Sequence, residues 1–398
     1  MKTLLKNIEG DKAIWALIAL LAIFSFLPVY SASSNLVYVV DKGTTSGYFL
    51  KHAVLLFIGF VIIYAVHKIP YKYFSATSVL LFPVVLILLV FTLVQGTNIG
   101  GANASRWIRI PFVGISFQTS TMAGVILMMY VSRYLAKNKE NIITFKESLI
   151  QLWLPVVLIL GLILPANLST AAMLFTMVVV LVFLGGYPLR YLASIVGMGV
   201  IVLSLFILTA KAFPTIMPNR VDTWMSRIEN FANKTDKRAN YQAEKAKVAI
   251  ASGKIYGRGP GKSVQKNFLP QSSSDFIYAI IIEEFGFIGG VVVVLLYLVL
   301  LFRIIIVANK SESIFGSLLV IGVGFPIVFQ AFTNMAVAVG LFPVTGQPLP
   351  LLSTGGTSIW MTCFSIGIIL SVSSQKEMKE VSTDNNDNPL EILHEAIG

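Results

Sequence analysis

The 398-residue chain is 56% apolar, sets 30 Lys and Arg against 19 Asp and Glu for a net charge of +11, and has a mean hydropathy of +0.80. That is too apolar for a soluble domain, whose apolar share is about half, so the chain is an integral membrane protein. A single cysteine, Cys363, excludes an intrachain disulfide or a cysteine metal site. The positive charge is divided between short loops and one long loop, which indicates anionic lipids or lipid-linked phosphates as partners and not nucleic acid.

Met1 to Lys12 is basic and leads into an apolar run at 13–30, closed by the small residues Ser31, Ala32 and Ser33. A signal peptide would look similar, but with so many runs to follow an uncleaved first helix is the better reading. Further apolar runs lie near 49–67, 76–95, 117–136, 152–166, 168–185, 191–213, 276–302, 313–341 and 356–374. The alternation of a barrel strand is nowhere visible, so the fold class is all-α: a polytopic membrane protein of ten transmembrane helices. Short loops on one side carry most of the Lys and Arg, including Lys68, Lys72, Arg133, Lys137, Arg190 and Arg303. The opposite short loops hold only Lys42, Lys51, Arg106 and Arg109, which puts both termini in the cytoplasm. Residues 214–275 then form one long extracytoplasmic loop between helices 7 and 8. A transmembrane domain thus covers 1–374, and the polar, acidic segment 375–398 reads as a disordered cytoplasmic tail with a weak stripe of Leu390, Leu393 and Ile397.

Three stretches on the long-loop side are unusual. In the first, residues 100–120, Arg106, Trp107 and Arg109 sit where the chain re-enters the membrane. An interfacial aromatic belt accounts for Trp107, whereas paired arginines also suit forked contacts to phosphate. The second contains Tyr241, Lys245 and Val248 at helical spacing, which predicts an amphipathic helix on the membrane. Gly253, Gly257, Gly259 and Gly261 end it; they are either turn residues or, with Lys254, Arg258, Lys262 and Lys266, an anion cradle. The third, residues 339–358, holds so many Gly and Pro that no regular helix can pass through it. Irregular backbone at membrane depth survives only beside protein or a wet cavity, so this stretch is expected to line a cavity.

Between the second and third stretches stands Asp275, a lone carboxylate where an apolar run begins. With Ser273 and Ser274 it is a natural helix N-cap, and an ionisable group at a membrane boundary is also a functional candidate. Glu283 lies eight residues on, about 80° around a continuous helix, where it would line the same cavity or bond a neighbouring helix; Glu284 would face the opposite way.

The motifs RWIRIP with SFQ (106–111, 116–118), YQ, AIASG and GRGPG (241–261), FLP with DFIYAIIIEEFGF (268–287) and GLFPVTG with LPLLSTGG (340–356) resemble, in order and over nearly the whole chain, the SEDS family of FtsW, RodA and SpoVE. SVQK at 263–266 is similar to the division-type loop of that family and less so to the elongation-type one. The sequence departs from the family where carboxylates are frequent: Thr121 and Asn167 are neutral, Gln271 to Ser274 replace EAHT, and Thr354 stands for a frequent Tyr.

The resemblance implies a peptidoglycan glycosyltransferase that polymerises lipid II, an undecaprenyl-pyrophosphate-linked disaccharide-pentapeptide, at the division septum. It also implies a class B penicillin-binding transpeptidase and other division proteins as partners. A sugar hydroxyl of one molecule attacks the anomeric carbon of another, and pyrophosphate leaves with inversion. The hydroxyl needs a base, but cations can replace a general acid at so good a leaving group. Asp275 is the expected catalytic base. The expected substrate-binding set is Arg106, Arg109, Lys254, Arg258, Lys262, Gln265, Lys266, Glu283, Ser353, Gly355 and Gly356. No cofactor is specified beyond a divalent cation that the reaction could use. Lipid II transport, an elongation-type polymerase and a division scaffold remain alternatives. The concentration of special residues on one side favours catalysis over transport.

Overall fold

A computed structural model describes residues 9–38, 44–95, 107–109, 116–141, 143–212, 237–269 and 271–384. The elements run α1 Lys12–Tyr38, α2 Thr45–Val66, α3 Lys72–Gln95, β1 Trp107–Arg109, β2 Ser116–Gln118, α4 Thr119–Lys137, α5 Phe145–Ile163, α6 Leu168–Leu184, α7 Leu189–Ala212, α8 Lys237–Gly253, α9 Ile277–Lys310, α10 Ile314–Ala338 and α11 Ser358–Asp384. Ten of these helices fall on the ten expected runs; the extra one, α8, is the amphipathic helix of the long loop. Six helices (α1, α2, α3, α5, α9 and α10) are long and apolar enough to cross a bilayer, and α6, α7 and α11 contribute shorter apolar stretches. The remaining helix, α4, is less apolar because it lies inside the bundle against α3, α6 and α10. There Ser132, fully buried, donates to the carbonyls of Met128 (2.8 Å) and Leu318 (3.0 Å). A Cβ at Gly322 of α10 would come within 2.8 Å of that hydroxyl, so the small residue sets the close approach of the two helices.

The span expected at 276–302 is two helical segments. In a straight helix, Tyr278 and Gly290 would lie about 18 Å apart. Instead the Tyr278 hydroxyl donates to the Gly290 carbonyl at 3.2 Å, and Gly286 between them has φ +72° and ψ −173°. The chain folds back sharply there, so 277–285 is a short arm leaning on the membrane-crossing stretch 287–310. Only glycine takes that backbone conformation without strain.

The chain from Val339 to Thr357 is irregular throughout and dips into the bundle. The Tyr297 hydroxyl donates to the Pro350 carbonyl, and Gln330 Nε2 donates to the Pro348 carbonyl at 2.8 Å. At the end of α9 remote from the long loop, Asp11 caps α1 through the amides of Ala13 and Ile14 and accepts a forked contact from Arg303; its own amide donates to Ser373 of α11. One residue thereby ties three helices. The tail expected from 375 begins as helix, since α11 continues to Asp384; Leu390, Leu393 and Ile397 lie outside the described residues.

Candidate functional site

Asp275 sits in a turn over 271–276 and not in the helix. The N-cap of α9 is Phe276, and it carries no side-chain capping bond. Two backbone bonds to the Gln271 carbonyl, from Ser274 (3.0 Å) and Phe276 (3.3 Å), close the turn. It is then pinned from outside. Asn334 of α10, almost fully buried, donates through Nδ2 both to the Asp275 carbonyl (2.8 Å) and to the Gln347 carbonyl (2.7 Å). Ser353 Oγ donates to the Ser274 carbonyl (2.6 Å), while the backbone and hydroxyl of Thr354 both donate to the Ser273 carbonyl (2.9 Å each). These contacts take up the backbone and leave the half-buried carboxylate turned toward the irregular stretch. Its Oδ1 lies 3.1 Å from Ser274 Oγ, and its Oδ2 would be 3.6 Å from a Cβ at Gly346, which has none.

Beside this turn opens a cavity with an empty volume of about 940 Å³, counting the space at its mouth. Gln347, Ser353 and Gly355 are among its polar lining, and Met128, Met177, Val323 and Ile327 among its apolar lining. Residues 347–355 therefore line a cavity, as their composition predicts. Gln347 Nε2 also donates to Thr170 Oγ1 (2.7 Å) at the start of α6, where the neutral Asn167 serves as N-cap. The hairpin β1–β2 borders the same region: Thr357 Oγ1 donates to the Ser116 carbonyl (3.1 Å) and accepts from the Gln118 amide (3.3 Å). Arg109 closes β1 opposite Ser116, and Gly356 (φ +56°) turns the chain into α11. Arg106 lies outside the described residues.

The other expected residues gather at the far end of the arm. Gly253, Gly257 and Gly286 bring two stretches of backbone into direct contact: a Cβ on any of them would fall 2.0 to 2.2 Å from a carbonyl oxygen of the other stretch. Arg258 and Gly259 amides donate to the carbonyls of Glu283 and Glu284 (2.9 Å each), and the Phe287 amide donates to the Lys254 carbonyl (2.8 Å). Two of the loop glycines are thus explained by close approach and not by a ligand. Glu283 is fully buried, and its carboxylate accepts from Ser252 and Ser263 hydroxyls and from the amides of Val264 and Gln265. Since Asp275 precedes the helix and the arm carries Glu283 away from it, the two carboxylates share no helix face: Glu283 holds the loop at the other end of the arm. Glu284 accepts from Ser31 of α1 and from the Ser263 amide. Lys266 Nζ is tethered to Ser31 Oγ (3.1 Å) and the Gly261 carbonyl (2.9 Å), while Lys254, Arg258 and Lys262 are exposed.

Sequence reasoning missed Asn334, Gln347 and Tyr297. The signal for Asn334 was present: an amide in an apolar span costs less than a carboxylate but still needs hydrogen-bond partners there. Among the described residues no three His, Cys, Asp or Glu side chains converge as metal ligands.

Residues 11–378 match the FtsW/RodA/SpoVE family of cell cycle proteins. A probable peptidoglycan glycosyltransferase FtsW from Geobacter sp. (strain M18) is 32% identical over 93% of this chain and 99% of its own; one from Hydrogenovibrio crunogenus is 31% identical over 93% and 94%. Among solved structures, a chain of a peptidoglycan synthase complex that coordinates polymerization and crosslinking superposes with a TM-score of 0.69 at 24% identity, covering 92% of this chain and 97% of its own. The rod shape determining protein RodA of Thermus thermophilus does so with a TM-score of 0.65 at 23% identity, covering 92% and 96%. With the family match spanning almost every described helix and the fold shared besides, this chain belongs to the FtsW/RodA/SpoVE family, the SEDS proteins.

Proposed function

We propose that the chain is a peptidoglycan glycosyltransferase that polymerises lipid II on the outer face of the cytoplasmic membrane during septal wall synthesis. The names of its relatives supply the reaction class. The observation that carries the residue assignment is the Asp275 turn, held by Asn334, Ser353 and Thr354 while its carboxylate faces Gly346 beside the cavity.

In this reading Asp275 takes the proton of the attacking sugar hydroxyl. The hydroxyl oxygen forms a bond to the anomeric carbon of a second lipid II, and the bond to pyrophosphate breaks with inversion. General-base catalysis of this kind is worth roughly 10²- to 10⁴-fold. Arg106 and Arg109 stabilise the departing charge, and Lys254, Arg258, Lys262 and Lys266 form a second cationic region for substrate phosphate, with Gln265 and Glu283 shaping its loop. Ser353, Gly355 and Gly356 shape the cavity side of the site. Mg²⁺ is commonly held by one or two carboxylates together with substrate phosphates. Such an ion would supply charge neutralisation at pyrophosphate, held chiefly by the substrate's own phosphate oxygens while Asp275 serves as the base. Both termini lie in the cytoplasm under the positive-inside rule, which places the long loop and Asp275 outside. A class B penicillin-binding transpeptidase is the partner; the structural neighbour named for coordinating polymerization and crosslinking supports that pairing.

The test is labelled lipid II incubated with the purified chain, with and without its transpeptidase, comparing wild type with Asp275→Asn. Polymer from wild type and none from a folded variant is expected. Absence of polymer from either, with the partner present, would replace catalysis by transport or scaffolding; equal polymer from both would remove Asp275 as base.

A further inference from the structure

The Glu283 carboxylate spends all its bonds on a different part of the chain. Ser263 Oγ (2.5 Å), the Val264 amide (3.0 Å) and the Gln265 amide (3.2 Å) reach it from the loop, and Ser252 Oγ (3.3 Å) from the end of α8. Four neutral donors fill the acceptor sites of a carboxylate. Apolar packing of similar size often serves stability as well as a buried carboxylate or better, so stability alone is a weak account of it. What it does accomplish is to fix one shape of the 258–266 loop. That loop is otherwise attached to the arm through the Arg258 and Gly259 amides. It presents Arg258 and Lys262 to solvent, and among the described residues neither is in an ion pair.

We propose that Glu283 is a positioning residue for glycosyl transfer, holding the loop so that Arg258 and Lys262 receive the diphosphate of the attacking lipid II. The proposal rests on the transferase reading above. The helical arm 277–285, about 13 Å long at 1.5 Å per residue, separates the loop from Asp275. The diphosphate that leaves must lie beside the attacked carbon and hence close to the base, so it is not the one at the loop. In a linear polymer of disaccharides the attacking hydroxyl is on the sugar remote from its own diphosphate, and a disaccharide therefore separates base from loop. A group gripped equally before and during reaction changes KM and leaves kcat alone.

Polymerisation kinetics with lipid II, measured on the full chain in complex with its transpeptidase, test this. Glu283→Gln keeps the volume but turns a donor toward three loop donors, and should raise KM about tenfold with kcat within about twofold of wild type. Ser263→Ala removes one donor to Glu283 and the acceptor of the Lys266 amide (3.1 Å) while changing no residue of the arm, and should raise KM about threefold, so the proposal stays testable if Glu283→Gln does not fold. Lys262→Gln should raise KM, and combining it with Glu283→Gln or Ser263→Ala should raise KM by less than the product of the single effects. Unchanged KM in these folded variants, kcat losses resembling those of Asp275→Asn, or multiplicative double variants would overturn the positioning role while leaving the transferase reading intact. An inactive wild type would remove the transferase reading itself.

Discussion

At Asp275 the chain is held by side chains that reach across to backbone: Asn334, Ser353 and Thr354 come from 59 to 81 residues away and bind three successive carbonyls. At Gly286, the other end of the same arm, backbone lies directly on backbone, with Gly253, Gly257 and Gly286 at the contact. A turn secured through its carbonyls fixes where its own side chain is presented. A contact made of two backbones admits no side chain at all, and the charges it presents are those of the loop draped over it. Substitution should therefore damage chemistry at the first end and folding at the second.

The largest separation is expected from Asp275→Asn, which should lower polymerisation by roughly 10²- to 10⁴-fold while the thermal unfolding midpoint stays where it is. Loss of stability in step with activity would break the distinction. Gly286→Ala should do the reverse and cost the fold about 4 kcal/mol or more, because its Cβ would fall 2.1 Å from the Ile255 carbonyl in a backbone conformation that excludes side chains. The reading is loss of monodisperse protein in detergent; a well-behaved variant would mean the tip can open. Asn334→Ala lies between them. It abandons the carbonyls of Asp275 and Gln347, so about 1–3 kcal/mol of stability and roughly tenfold in rate should go together in paired unfolding and polymerisation measurements. The smallest effect belongs to Arg303→Gln at the opposite end of the bundle. There the loss of the partly exposed pair with Asp11 should cost about 1 kcal/mol in unfolding and leave lipid II turnover unchanged.

The amphipathic helix shows how far pattern reading carries. Tyr241, Lys245 and Val248 at helical spacing locate α8, but Tyr241 and Val248 are exposed, and the buried face is made by Ala246 and Ala249. Exposure of that stripe is compatible with its expected place against the membrane; the opposite, protein-facing side gave no signal in the sequence, because alanines admit a close neighbour while contributing little hydrophobic pattern. Glu283 shows the limit from the other direction. A helical wheel drawn through Asp275 assumes one continuous helix, whereas the turn before Ile277 and the reversal at Gly286 give each carboxylate its own surroundings.

Membrane class, the ten helical runs and the lone carboxylate at a boundary follow from local quantities: the length of an apolar run and the cost of a charge beside one. Where the arm points, which glycines are contacts, and why Asn334 matters depend on φ and ψ at single residues and on partners dozens of positions away. Those are properties of packed backbone, which residue types along the chain constrain but do not specify.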